Sequence, residues 1–264
     1  SVPMQELLNE AKRLASEGVK ELVLVAQETT LYGKDLTGEK QLPLLLHELC
    51  KIEGIEWIRL LYCYPEEITD ELIKVIKTEE KVCNYIDMPI QHSENRILQR
   101  MGRRTSREDL VAVIKKLRKE IPDITIRTTL ITGFPGESQE DHEGLMNFVE
   151  ECQFDRLGVF TYSPEEDTLA ATFEDHATKE EIQNRFDRLI KRVSEISGEE
   201  ICRYKGQVMP VLIESVSEQN QALLTGRLSN NILVHFKGDP SMIGEIRDVS
   251  LDECKGFYYM GNLV

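Results

Sequence analysis

The sequence predicts an α/β protein in which an open, partial barrel of parallel strands is followed by a small antiparallel β-barrel. Three observations predict it. Apolar, β-rich segments alternate with helical periodicity through most of the first 163 residues, the pattern of repeated βα units around a parallel sheet. Those segments number five, too few to close an eight-stranded barrel. From about Tyr204 the pattern changes to short strands separated by Gly, Asn and Asp.

Residues 4–17 place Met4, Leu7, Leu8, Ala11 and Leu14 on one face and end at Gly18, which reads as an amphipathic helix and not as a signal peptide. A βαβ chain normally opens on a strand, so the first strand of the barrel is expected upstream of Ser1. ELVLVAQ (21–27), EWIRLLYCY (56–64), NYIDMPIQ (84–91), ITIRTTLITG (124–133) and RLGVFTYS (156–163) read as strands. Residues 66–78, 106–121 and 139–152 read as helices, with capping boxes expected at Thr105–Glu108 and Ser138–Asp141. PEEDTLAATFEDHAT, after Ser163, has turn residues and no period, and is expected to cross the barrel mouth. Ile182, Phe186, Leu189, Ile190, Val193 and Ile196 then form a continuous apolar stripe, a helix packing on the barrel. The expected division is residues 1–177 for the partial barrel, 178–203 for the connecting helix and 204–264 for the small β domain.

Composition narrows the functions. With 41% apolar and 30% charged residues, no apolar run approaches the ~20 residues of a membrane span. A net charge of −15 argues against a main task of gripping phosphate backbones and suits a basic partner. From Cys202 onward, seven acids face six bases, with no basic stripe. The six cysteines, at 50, 63, 83, 152, 202 and 254, form no C-x-x-C pair and stand near no histidine at metal-ligand spacing. They are expected to be reduced, mostly buried thiols of a cytoplasmic protein that holds no metal through them.

Parallel α/β sheets gather function at the carboxyl ends of their strands. Here those ends read AQETT, YCYPEE, PIQHSEN, TGFPGES and TYSPEED. Gly133 and Gly136 would let backbone approach a flat or anionic ligand. Gln91 both donates and accepts, which suits a ribose diol, whereas Arg103, twelve residues later, suits a carboxylate. His92 is placed for either a site role or a structural hydrogen bond. The pairs Glu66–Glu67 and Glu165–Glu166 read as solvated charge, because no histidine or lysine partner lies at catalytic spacing.

Taken in order, AQETTLYG, RLLYCYPEEIT, YIDMPIQH with RILQRMGR, IRTTLITGFPGE and FDRLGVFTYSPEE closely resemble the radical S-adenosylmethionine methylthiotransferases, and within them the RimO-like branch. The terminal β domain resembles that family's TRAM domain. The resemblance implies an open TIM-like radical SAM barrel and a reaction that adds a methylthio group to the β-carbon of an aspartate in a basic small-subunit ribosomal protein. It implies S-adenosylmethionine, two [4Fe-4S] clusters in the full-length enzyme and an external electron donor. Direct RNA binding is secondary.

Carried to matched positions, Gln27, Glu28 and Thr29 would meet the methionyl amino group, Gln91 and Thr129 the ribose, and Arg103 the methionyl carboxylate. Ile131, Gly133 and Phe134 would lie beside adenine. The family's C-x-x-x-C-x-x-C loop and N-terminal domain are absent, so neither cluster is expected to be ligated by cysteines of this chain, which alone is expected to be inactive. The family's usual E-G-T-P reads E-D-T-L here, at Glu166–Leu169. Alternatives are a tRNA adenosine methylthiotransferase and, from another class, a non-catalytic ribosome- or RNA-binding module.

Overall fold

The computed structural model describes residues 1–264. Five strands, β1 (Glu21–Leu24), β2 (Trp57–Leu60), β3 (Val82–Asp87), β4 (Thr125–Thr132) and β5 (Arg156–Thr161), pair in parallel in sequence order. Between and around them run α1 (Met4–Ser16), the short α2 (Lys34–Thr37), α3 (Leu42–Cys50), α4 (Asp70–Thr78), α5 (Asn95–Arg100), α6 (Arg107–Glu120) and α7 (Gln139–Cys152). Successive strand residues face opposite ways, so Leu22, Ile58, Leu60, Ile86, Ile126, Leu130 and Val159 join the helices in one apolar core. The opposite face carries Arg59, Tyr85, Asp87, Arg127, Thr129 and Arg156, and it forms the lumen side of the sheet.

Helix starts follow local chemistry, with one shift of register. Ser138 and Asp141 form the expected reciprocal cap of α7. At α6 the box is Ser106 with Asp109, not Thr105 with Glu108, because Ser106 takes the extended cap conformation and Asp109 bonds back to its amide. In the 66–78 segment, a 3₁₀ turn at Pro65–Glu67 precedes α4, which Thr69 caps. Helix α3 has no counterpart among the sequence-read helices. Five of its nine residues are buried, so its apolar run masks the 3.6-residue period.

A 24-residue helix, α8 (Lys179–Cys202), packs Leu189, Val193 and Ile196 into the barrel core and leads to the second unit. That unit comprises β6 (Val208–Val216), β7 (Leu224–Leu228), β8 (Leu233–Lys237), β9 (Ile246–Cys254) and β10 (Tyr258–Leu263), closed into a ring of order β10-β8-β7-β6-β9. The expected all-antiparallel barrel needs correction, since β8 and β10 pair in parallel. Parity requires this: in a closed ring of five strands, directions cannot alternate throughout.

The cysteines also need correction. Cys202, ending α8, and Cys254, ending β9, are joined by a disulfide across 52 residues with Cα atoms 5.5 Å apart. Barrel closure creates this proximity, which no local spacing announces. Breaking a loop closure of this length is expected to remove about 2–4 kcal/mol from the β domain. Urea unfolding of Cys254→Ser beside the oxidised protein measures it; equal midpoints would show that the bond contributes nothing.

The two units meet at the amino-terminal end of the sheet. Trp57, Cys83 and Tyr85 pack against Leu212. Arg59 donates to Glu21 at 2.7 Å and to the Ser229 carbonyl at 2.6 Å. Arg227 donates to the other Glu21 oxygen at 2.6 Å, and Arg156 donates to the Asn231 carbonyl. The β7–β8 turn thus floors the lumen, leaving the carboxyl ends of the strands as the open end.

Candidate functional site

At the open end, Gln91, Arg103, Ile131 and Phe134 line one cavity of about 550 Å³, with Gln99 and Arg100 from α5, Thr161 at the end of β5, and Tyr162, Ser163 and Leu169 from the segment after it. Local backbone explains the convergence. Gln91 has φ +75° and brackets β4, donating its amide to the Thr129 carbonyl at 2.8 Å while its own carbonyl accepts from Ile131 at 2.7 Å. This left-handed kink ends the strand-like run and turns the side chain out of the sheet. Its Oε1 is buried without a partner, an acceptor held for a ligand donor.

Arg103 follows α5, donates to the Pro89 carbonyl at 3.2 Å and lies 4.7 Å above the Tyr64 ring. It makes no ion pair, so its remaining donors are available to a carboxylate. Phe134 forms one wall, with Tyr162 edge-on at 5.2 Å and Phe173 at 6.3 Å. Tyr162, which also lines this cavity, carries a second buried, unpartnered oxygen.

The other predicted residues are placed differently. Gln27, Glu28 and Thr29 line a separate cavity of about 930 Å³ over β1, with Val23, Val25 and α1. Within it, Gln27 is exposed and free. The Thr29 hydroxyl is spent on the Leu61 carbonyl at 2.6 Å. Glu28 caps the following turn through Thr30 and accepts from the Tyr64 amide at 3.0 Å. Burial raises its pKa above the ordinary carboxylate value, against these hydrogen bonds. Tyr64 therefore links the two cavities, its amide on Glu28 and its ring under Arg103. Thr129 lines neither cavity; it faces the lumen opposite Gly158.

Gly133 and Gly136 have φ +76° and +81°. A Cβ on Gly133 would stand 2.7 Å from Ile182 of α8, and one on Gly136 would stand 2.7 Å from Asp175. The turn needs glycine because its φ is positive and its own protein crowds it.

Beneath the turn lies a buried polar knot that spacing did not reveal. Glu137 accepts from the Gly133 amide at 2.5 Å, the Phe134 amide at 3.3 Å and the Thr132 hydroxyl at 3.2 Å. His142, Arg185 and His92 stand 3.4, 3.5 and 3.8 Å from its oxygens. Burial would raise Glu137, but hydrogen bonding from His142, the charges of His92 and Arg185 and the Gly133 amide hold it below the ordinary value. His92 is fully buried, accepts from the Glu94 amide at 3.1 Å and is pushed down to about 4 by burial. Its role is structural.

The arrangement fits S-adenosylmethionine: an unpartnered amide oxygen, an unpaired guanidinium and an aromatic wall share one cavity. It does not fit an iron–sulfur cluster. Cys50, Cys63, Cys83 and Cys152 sit on separate segments, and no three or more His, Cys, Asp or Glu are placed to hold a metal ion. Burial above all pushes the thiols up, Cys50 and Cys152 to about 12 and Cys83 to about 11. No helix is long and apolar enough to cross a membrane.

Residues 1–149 match the Radical SAM superfamily, and residues 203–264 match the TRAM domain. Proteins named ribosomal protein uS12 methylthiotransferase RimO are similar along nearly the whole chain. That of Lachnoclostridium phytofermentans is 52% identical, over 99% of this chain and 60% of its own length. That of Clostridium perfringens is 53% identical, over 98% and 58%, and that of Geobacter sulfurreducens 41%, over 100% and 60%. The chain thus spans about 60% of the length of these three relatives. Among solved structures, coproporphyrinogen III oxidase (HemN) from Escherichia coli, a radical SAM enzyme, superposes with TM-score 0.58 at 14% identity, over 86% of this chain and 60% of that one. Streptococcus suis SuiB superposes with TM-score 0.51 at 14% identity, over 74% and 41%. Both show the fold alone.

Proposed function

Since the chain belongs to the radical S-adenosylmethionine superfamily, we propose that it is the cofactor-binding core and TRAM domain of a methylthiotransferase that modifies the β-carbon of an aspartate in ribosomal protein uS12. The observation that carries this reading is the similarity to RimO proteins across both units of the chain, at 41–53% identity. S-adenosylmethionine, given one electron by an iron–sulfur cluster held outside these residues, would supply a radical able to remove hydrogen from an unactivated carbon.

The residues of this chain position that cofactor. Gln91 accepts from the ribose diol, with Thr129 beside it in the lumen, and Arg103 pairs with the methionyl carboxylate while Tyr64 holds its guanidinium flat. Phe134 and Ile131 flank adenine, and Gly133 supplies the turn that sets them there. Gln27 contributes to the amino group, with Glu28 and Thr29 shaping its loop. Residues 1–177 serve as the barrel, 178–203 as the connecting helix and 204–264 as the TRAM unit. The net charge of −15 favours a basic ribosomal protein over RNA as the partner.

Mass spectrometry of uS12 after deletion of the gene tests the reading. The methylthio mass is expected to disappear, to return with the wild-type gene, and to return at least tenfold more weakly with Arg103→Ala, given the worth of a charge-assisted pair. Persistence of that mass in the deletion strain defeats the assignment.

A further inference from the structure

One layer below Thr129, the lumen-facing residue proposed beside the ribose, the lumen holds positive charge that the fold does not neutralise. Four arginines, Arg59, Arg127, Arg156 and Arg227, reach it. Three are committed to carboxylates: Arg59 to Glu21, Arg227 to Glu21 and Glu214, and Arg127 to Asp87 at 2.5 Å. Arg156 has none. Its single protein acceptor is the Asn231 carbonyl, and its other donors are not buried orphans. Burial lowers its pKa, Tyr85 acts against that, and the charges of Arg127, Arg59 and Arg227 lower it further.

Tyr85 supplies the independent sign of a ligand. The residue is 1% exposed, yet its hydroxyl has no hydrogen-bond partner. Arg59 stacks on its ring at 4.9 Å, and Arg127 and Arg156 lie within Coulombic reach. Burial foremost keeps the phenol protonated and hence a donor. A guanidinium without a carboxylate, within Coulombic reach of a hydroxyl without an acceptor, suits a small anion with two oxygens.

The layer sits at the right depth. Arg127 pairs in register with Arg156 and precedes Thr129 by two residues on the same face of β4, roughly 7 Å along the strand. The Arg127 side chain is 36% exposed, so this layer is reached by solvent.

We propose that Arg156 and Tyr85, with Arg127, form the specificity site that grips the side-chain carboxylate of the substrate aspartate, presenting its β-carbon upward to the cofactor. The proposal rests on the methylthiotransferase reading for the identity of the anion. It explains why an acidic protein keeps a surplus guanidinium inside its barrel, and it predicts rejection of asparagine, which cannot neutralise Arg156.

Trp57, the only tryptophan, packs against Tyr85 in the floor and reports on the site. The 264-residue chain is titrated by fluorescence with a basic peptide carrying one central aspartate and with its asparagine counterpart. The aspartate peptide is expected to bind roughly tenfold or more tightly. Arg156→Gln keeps a donor for the Asn231 carbonyl and is expected to abolish the preference. Tyr85→Phe removes a hydroxyl that has no partner, so it is expected to fold as wild type while weakening aspartate binding several-fold. Equal affinity for both peptides in the wild type, or a preference that survives both substitutions, overturns the proposal. A preference for aspartate in a protein whose deletion leaves the uS12 methylthio mass in place keeps the carboxylate site and removes the reaction.

Discussion

Glu21→Gln is expected to destabilise the protein by about 3–5 kcal/mol, the usual consequence of removing one partner from a buried ion network. Glu21 stands at the start of β1 with its carboxylate 4% exposed, and it receives Arg59, 2% exposed, on one oxygen and Arg227 on the other. The substitution is isosteric, so packing is kept while two guanidiniums lose a shared counter-charge. Arg59 also holds the Ser229 carbonyl, and Arg227 is anchored in β7, so the damage falls on the junction between the two units. Urea unfolding followed by Trp57 fluorescence, which reports that junction, is expected to show a much lower midpoint, with the small barrel parting from the sheet before either unfolds. Glu253→Gln, which breaks an exposed pair with Lys255, serves as the control and is expected to change nothing measurable. A midpoint equal to that of wild type would show that the network contributes only orientation.

Glu137→Ala is expected to be comparably damaging, about 3–5 kcal/mol, and to carry the cofactor cavity with it. The substitution leaves the Gly133 amide buried without its acceptor, takes the counter-charge from Arg185, which keeps its bond to the residue-137 carbonyl, and frees a turn whose glycines hold positive φ. Phe134 leads away from that turn into the cavity wall, so S-adenosylmethionine affinity of the intact enzyme is expected to fall at least tenfold. Isothermal titration, beside a thermal melt, separates the two effects; undiminished affinity in a destabilised variant would confine Glu137 to the fold. The same knot sets the acid limit of the wild type. His92 has a folded pKa near 4, below its unfolded value of ~6.5, so between those values the unfolded chain binds more protons. Stability is therefore full above ~6.5 and falls as pH drops toward 4. Glu137, also held low, adds loss in the same direction at the acid end. Melts across that window measure the slope, and a flat profile would contradict the burial of His92.

What was legible in the sequence was what local pattern controls. Alternating periods placed the five parallel strands and the long helix α8, and the residues at strand ends marked the open end of the lumen. Gln91 and Arg103 were paired through the family resemblance, which matched a strand-end amide and an arginine one helix later to one ligand. Charge inside strands was harder to read. Arg59 in W-I-R-L and Arg156 at the head of R-L-G-V-F-T look like faults in apolar runs until the small barrel is docked beneath them, because their partners lie 169–170 and 75 residues away. Glu137 was overlooked because its turn drew attention to glycines, although a carboxylate closing such a turn is well placed to receive backbone amides, here those of Gly133 and Phe134. The Cys202–Cys254 bond and the parallel β8–β10 pair depend on ring closure, which no window of sequence contains. Gln27–Thr29 fell into a different cavity from Gln91 because β1 and β3 are separated by β2 in the sheet.

The ring of the small barrel has one further implication. With each strand's ladder taken up on both sides, the domain has no edge on which a visiting peptide could be recruited as an extra strand. Any grip it exerts must come from side chains and loop tips, which can be exchanged one at a time without disturbing strand register. Only the outer flanks of β1 and β5 retain unpaired backbone that could recruit another polypeptide by main-chain pairing.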